Sequence, residues 1–145
     1  MILYLGTSSL VKLYFDDEPY SNLVREWVRE AEIVATCRIA YTETISALDV
    51  KFRKNDISKD DYAMFVKEFN KDWANFLTVD FDEIDAGRLL KKYALRRFDA
   101  IHLSAAKLIK KGHNDMLLSF SSAEDRLCRA AAAEGLRVLT FSCIE

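Results

Sequence analysis

Three acidic positions stand out by their surroundings. Glu43 sits in Tyr-Thr-Glu-Thr-Ile-Ser-Ala-Leu, and its helical neighbours Ile39, Ala40, Ser46, Ala47 and Val50 are small or apolar. That is not a solvated charged face, and a carboxylate there is costly unless it binds a cation or accepts hydrogen bonds. Asp99 heads Asp-Ala-Ile-His, with His102 three residues on, in a segment whose other inward residues are apolar. Glu124, with Asp125 beside it, follows a short apolar run in Ser-Phe-Ser-Ser-Ala-Glu-Asp-Arg-Leu. Each also has a plainer reading. Glu43 reads as a glutamate exposed at the core's rim. Asp99 and Glu124 read as acids near the positive end of a helix dipole, and His102 as a satisfied helix histidine more than a general base. Brought together, three carboxylates repel each other and raise their pKa values. A divalent ion removes that conflict, and oxygen ligands in a partly hydrated site favour Mg²⁺ or Mn²⁺. Centres of this kind position and activate water against a phosphodiester.

Positioning such a site requires elements that deliver the acids to one place. The apolar period switches repeatedly between two and 3.6 residues, with no linker rich in Pro, Gly or Ser and no internal repeat. Strands are predicted at 2–5, 33–36, 76–79, 116–119 and 136–141. The helices between them are a short one over 10–15 capped by Ser8 or Ser9, one begun near Pro19, and others over 39–53, from Ser58 to Trp73, 82–94, 99–111 and 122–134. Ser58-Lys-Asp-Asp61 resembles a capping box with aspartate in the usual glutamate place. Short apolar strands alternating with amphipathic helices imply an α/β fold with a parallel sheet covered on both faces. In open sheets of this kind the site lies beyond the carboxyl ends of the strands, where the strand order switches direction.

Composition removes other classes. The chain has 145 residues, half of them apolar and 12% aromatic, which suits one domain spanning 1–145 with a packed core. It carries 21 basic and 23 acidic residues, so nucleic-acid binding must use a local patch. No signal-like leader or membrane-length apolar run is present, and the expected setting is the cytoplasm. Cys37, Cys128 and Cys143 are widely spaced and read as small buried hydrophobes.

At these residues the chain resembles the PIN-domain family, specifically VapC-type toxins of toxin–antitoxin pairs. Met-Ile-Leu-Tyr-Leu-Gly-Thr-Ser-Ser-Leu looks like the family's opening strand, which usually ends in Asp-Thr-Ser. Tyr-Thr-Glu-Thr-Ile-Ser-Ala-Leu resembles the segment of the second acid, Arg-Arg-Phe-Asp-Ala-Ile-His-Leu-Ser-Ala-Ala that of the third, and Ser-Ala-Glu-Asp-Arg-Leu that of the fourth. The resemblance implies a PIN-like three-layer sandwich with about five parallel strands and a helical hairpin. It implies a Mg²⁺-dependent endoribonuclease neutralised by a cognate antitoxin, with Glu43, Asp99 and Glu124 holding the ion and Ser8 or Thr7 orienting a ligand or water. RNA would meet cations among Lys12, Arg38, Arg96 and Arg97. Members commonly form homodimers, and the aromatic stripe Tyr62, Phe65, Phe69 and Trp73 suits such an interface, an antitoxin, or burial within the hairpin.

Two departures bear on activity. Gly6 stands at the position of the first aspartate and offers no ligand, so an impaired nuclease is expected. It also reads as a turn residue freeing φ after a strand. Glu124 stands where aspartate is usual. The alternative reading is a catalytically inactive module that keeps antitoxin binding. A receiver-like phosphoacceptor lacks its adjacent acids after the first strand. A dinucleotide-binding domain would need clustered glycines, whereas these are at 6, 87, 112 and 135.

Overall fold

The computed structural model describes residues 1–141, and Cys143 lies outside them. The chain opens with β1 (Ile2–Leu5), a short α1 (Thr7–Leu10) and a 3₁₀ turn (Val11–Leu13). There follow α2 (Ser21–Glu30), β2 (Ile33–Cys37), α3 (Ala40–Arg53), α4 (Lys59–Trp73), β3 (Leu77–Val79) and α5 (Glu83–Tyr93). The remainder is α6 (Arg97–Gly112), β4 (Leu118–Ser121), α7 (Asp125–Ala133) and β5 (Arg137–Leu139). All four strand pairings are parallel, in the order β3-β2-β1-β4-β5. The order reverses between β1 and β4, which makes their carboxyl ends the place for a site.

The central strand β1 shows how period two builds two cores. Ile2 and Tyr4 face the layer of α5, α6 and α7, where they pack with Leu89, Leu103, Phe120 and Leu127. Leu3 and Leu5 face the other way, into Leu10, Val24, Ala40 and Phe69. All four β1 residues are buried. Each fully buried side chain of this size contributes about 1.5–3 kcal/mol, so the middle of the sheet is the most strongly held element. Phe120 stacks on Tyr4 with ring centroids 5.4 Å apart.

The helical hairpin α3–α4 is held by its aromatic residues. Phe69 meets Tyr14, Tyr41 and Trp73; Phe65 meets Phe15; and Tyr62 meets Phe52. The stripe is thus engaged within the chain itself. Ser58 caps α4 by accepting the Asp61 N–H at 3.0 Å, as the motif predicts.

Several local expectations shift. β4 begins two residues later than predicted, because pairing Ile2 with Leu118 and Leu5 with Ser121 sets its register. The displaced strand places Ser119 and Ser121 in the interior. There Ser121 Oγ pairs with Ser9 Oγ at 2.8 Å, and Ser119 Oγ accepts from Arg137 at 3.2 Å. Neither Ser8 nor Ser9 caps a helix over 10–15; both lie within α1, which starts at Thr7. Pro19 sits in the preceding turn, and α2 starts at Ser21 after Tyr20 in the left-handed region. Asp99 is the third residue of α6, and Glu124 precedes α7 as its N-cap. No helix among the described residues is long and apolar enough to cross a membrane.

Candidate active site

Beyond the carboxyl ends of β1 and β4 opens a cleft of about 620 Å³. Four separate segments build its walls: Gly6, Thr7 and Ser8 after β1, Glu43 from α3, Arg96 to His102 at the start of α6, and Ser122 with Glu124 after β4. Glu43, Asp99 and Glu124, separated by 56 and 25 residues in sequence, therefore line one cavity. Arg96, Arg97 and Phe98 complete its rim. Asp125 sits next to Glu124 in the first turn of α7, and both are exposed.

The interior wall is a hydrogen-bonded chain. Tyr4 Oη lies 2.6 Å from His102 Nδ1, and His102 Nε2 lies 2.9 Å from Glu43 Oε1. Thr7 Oγ1 donates to the same Glu43 oxygen at 2.8 Å and is 3.0 Å from His102 Nε2. A carboxylate oxygen only accepts, so Nε2 carries the proton directed at Glu43; the Nδ1 of a neutral ring then accepts from the Tyr4 phenol. Burial pushes that phenol well above its usual range, which keeps it a donor. His102, 2% exposed, is a satisfied helix histidine as its sequence context suggested. It also fixes the rotamer of Glu43. Nothing in the sequence ties residues 4, 7, 43 and 102 together; only the fold does.

Ser8 serves a different contact. Its Oγ accepts the Ala123 N–H at 2.9 Å and lies 3.2 Å from Ser122 Oγ, and Ser122 Oγ accepts the Glu124 N–H at 3.1 Å. The hydroxyl pair joins the two strand ends and sets the backbone that carries Glu124.

Gly6 is not required by the backbone. With φ −65° and ψ 158° it is extended, a conformation open to any residue, so the turn reading of this glycine is overturned. Its N–H donates to the Ser121 carbonyl at 2.9 Å. A Cβ built on it would meet Ser121 O at 3.3 Å and Ser122 Cβ at 3.6 Å, so the Ser121 carbonyl would have to give by a few tenths of an ångström.

Of the four candidate cations, Arg96 and Arg97 stand at the cleft and are exposed. Lys12 does not present a free charge there: it is buried, 3.5 Å from Glu18, with its ammonium 5.5 Å from the Phe141 ring centroid. Burying its stem against apolar residues outweighed exposure to solvent. Arg38 points elsewhere, 3.7 Å from Asp80.

The electrostatics suit a cation. Burial raises the Asp99 carboxyl above its usual range, and Glu124 and, more weakly, Glu43 add to the rise, against His102 and Arg96. Hard oxygen donors under mutual repulsion fit a divalent ion in kind. Among the described residues, no three His, Cys, Asp or Glu side chains are already gathered into one ligand cluster. Glu43 Oε1 is engaged by Thr7 and His102, and Gly6 brings no side chain. The thiols of Cys37 and Cys128 are raised, chiefly by burial, consistent with inert structural cysteines.

The PIN domain family model matches residues 3–141. Ribonuclease VapC45 of Mycobacterium tuberculosis (strain CDC 1551 / Oshkosh) is 29% identical over 140 residues, covering 94% of this chain and 94% of that protein. Among solved structures, PAE2754 from Pyrobaculum aerophilum superposes with a TM-score of 0.64 at 15% identity, over 95% of this chain and 89% of its own. VapBC2 from Rickettsia felis, bound to a DNA fragment from their promoter, gives 0.63 at 16% identity over 96% and 98%. At these identities the structural likeness concerns the fold.

Proposed function

The chain belongs to the PIN domain family, and from that premise we propose that it is the toxin component of a type II toxin–antitoxin pair, a Mg²⁺-dependent endoribonuclease weakened by glycine at position 6. The observation that carries this reading is the convergence of Glu43, Asp99 and Glu124 on one cleft at the switch point of the sheet. The ribonuclease name of its mycobacterial relative and the VapBC2 assembly among its structural neighbours support it.

In this reading Glu43, Asp99 and Glu124 hold Mg²⁺, with Mn²⁺ an acceptable substitute, in one domain spanning residues 1–145. When bound, such an ion would supply charge neutralisation at the phosphate and activation of water. The chain's own side chains do the rest. Thr7 and His102 hold the Glu43 carboxylate in one orientation, and Ser8 fixes the loop carrying Glu124 and stays near enough to orient a ligand. Arg96 and Arg97 attract the RNA backbone into a cleft that is otherwise acidic. A cognate antitoxin, a homodimer and a cytoplasmic setting accompany this function.

A second reading has its own observation. Gly6 withholds one ligand, which favours an inactive PIN module that retains antitoxin binding. RNA cleavage by the chain and by Gly6→Asp in Mg²⁺, Mn²⁺ and EDTA separates the two. Cleavage by Gly6→Asp alone, stopped by chelation, supports the four-acid site with Gly6 as its lesion. Metal-dependent cleavage by the unaltered chain means three acids suffice. Absence of cleavage by both proteins favours the binding module.

A further inference from the structure

Behind the acidic cleft lies a second hollow of about 420 Å³, lined by Ile39, Thr42, Glu43, Ser46 and Phe98. Glu43 and Phe98 line both cavities, so the two are neighbours across a shared wall. Phe98 is 47% exposed. A lone exposed phenylalanine is ordinary on a protein surface; its position beside a carboxylate cleft and below a cation is not. The Arg97 guanidinium lies 5.9 Å from the ring centroid, and Arg96 and Arg97 line the adjoining acidic cleft.

We propose that this second hollow is a nucleobase pocket, in which Phe98 stacks a base next to the phosphate held in the acidic cleft. The inference rests on the ribonuclease reading and adds a specificity-determining residue to it. Three features select a base over another occupant. The apolar part is confined to Phe98 and Ile39, enough for one flat ring but small for a protein interface. Thr42 and Ser46 add hydroxyls that both donate and accept, which suits the edges of different bases. The cations at the rim meet a polyanionic backbone at the point where a neighbouring base would turn inward.

The test uses the full chain as it stands, with Phe98→Ala and Phe98→Trp beside it. Binding of a fluorescein-labelled single-stranded RNA of randomised sequence is followed by anisotropy at low ionic strength in EDTA, with inorganic polyphosphate as a polyanion without bases. Phe98→Ala should weaken RNA binding by about five-fold or more and leave polyphosphate binding unchanged, while Phe98→Trp keeps or tightens RNA binding. Equal RNA binding by Phe98→Ala and the unaltered chain overturns the proposal. So does equal loss for RNA and polyphosphate, which would mean a purely electrostatic effect. If Phe98→Ala leaves RNA binding intact but changes the sedimentation coefficient, the face belongs to a second copy of the chain and the base pocket is wrong. Failure of the unaltered chain to bind RNA both in EDTA and with Ca²⁺ in its place would instead overturn the ribonuclease reading on which the pocket depends.

Discussion

Replacing Gly6 with aspartate should convert the protein from weakly to strongly metal-coupled, and the size of the effect follows from the local structure. The backbone is already extended (φ −65°, ψ 158°), so aspartate needs no rotation into a strained region. The steric cost comes from a Cβ 3.3 Å from Ser121 O, roughly 1 kcal/mol for mild overpacking. A fourth carboxylate joins Glu43, Asp99 and Glu124 around one cleft, adding roughly 1 kcal/mol of repulsion in partly exposed surroundings. Loss of glycine's freedom in the unfolded chain offsets part of this by about 0.4–1 kcal/mol. The net expectation in EDTA is a loss of about 1–2 kcal/mol, or about 3–6 °C in Tm for a domain of this size. A cation present at about 100 times its Kd returns about 2.7 kcal/mol. Thermal melts in EDTA and in Mg²⁺ should therefore show a metal-induced rise at least about 3 °C larger in Gly6→Asp than in the unaltered chain. Adding Asp99→Asn to Gly6→Asp should remove that extra rise. If Mg²⁺ raises Tm equally in both proteins, or in neither, position 6 does not face a metal site and the reasoning fails.

Asp99→Asn alone should stabilise the metal-free chain at pH 7, because the native carboxyl is raised by burial and by Glu124. A raised carboxyl favours the fold only below its ordinary range, so the gain should vanish in denaturant titrations below that range and reach its full size once the pH exceeds the native value. Glu134 shows the opposite sign. The Tyr93 hydroxyl, Lys107 and Arg88 hold it far below the usual carboxylate range, and its side chain is only 9% exposed. Glu134→Gln should cost about 1–2 kcal/mol at neutral pH, discounted because Arg88 and Lys92 are half exposed. That difference should be fully present above the ordinary glutamate range and shrink as the pH falls toward the lowered native value; a pH-independent gap in urea melts would contradict it. Tyr4→Phe should cost about 1–2 kcal/mol by leaving His102 Nδ1 without its donor, and should broaden the Glu43 carboxylate signal in NMR spectra; an unchanged Tm would show that water replaces the phenol.

The Glu134 cluster lies toward the other end of α6 from the acidic cleft. Lys107 bridges Asp85 and Glu134 at 3.1 and 3.0 Å, and Arg88 reaches Glu134 at 2.9 Å. These contacts tie α5, α6 and the end of α7 together away from the cleft. The raised carboxyl of Asp99 thus sits at one end of the helical layer and the paired carboxylates of Asp85 and Glu134 at the other.

Much of the architecture was legible in the chain because it rests on local chemistry. Periods of two and 3.6 located five strands and the helices between them, Ser58 marked the start of α4, and the apolar setting of Glu43 and Asp99 marked them as more than surface charge. Four short segments, around Gly6, Glu43, Asp99 and Glu124, also carried the family resemblance. What local chemistry does not encode is which distant segments meet. Strand order placed residues 6–8, 43, 96–102 and 122–124 around one cleft, and the β1–β4 register moved β4 two residues along and turned Ser119 and Ser121 inward. The Tyr4–His102–Glu43–Thr7 chain spans up to 98 residues of sequence. Its members are unremarkable one by one, since a tyrosine in a strand or a histidine in a helix has many ordinary places. The backbone angles at Gly6 likewise depend on its pairing to Ser121, not on glycine itself. Amino-acid type set which elements form and which groups are costly to bury; the packing of a five-stranded sheet decided which of those groups meet.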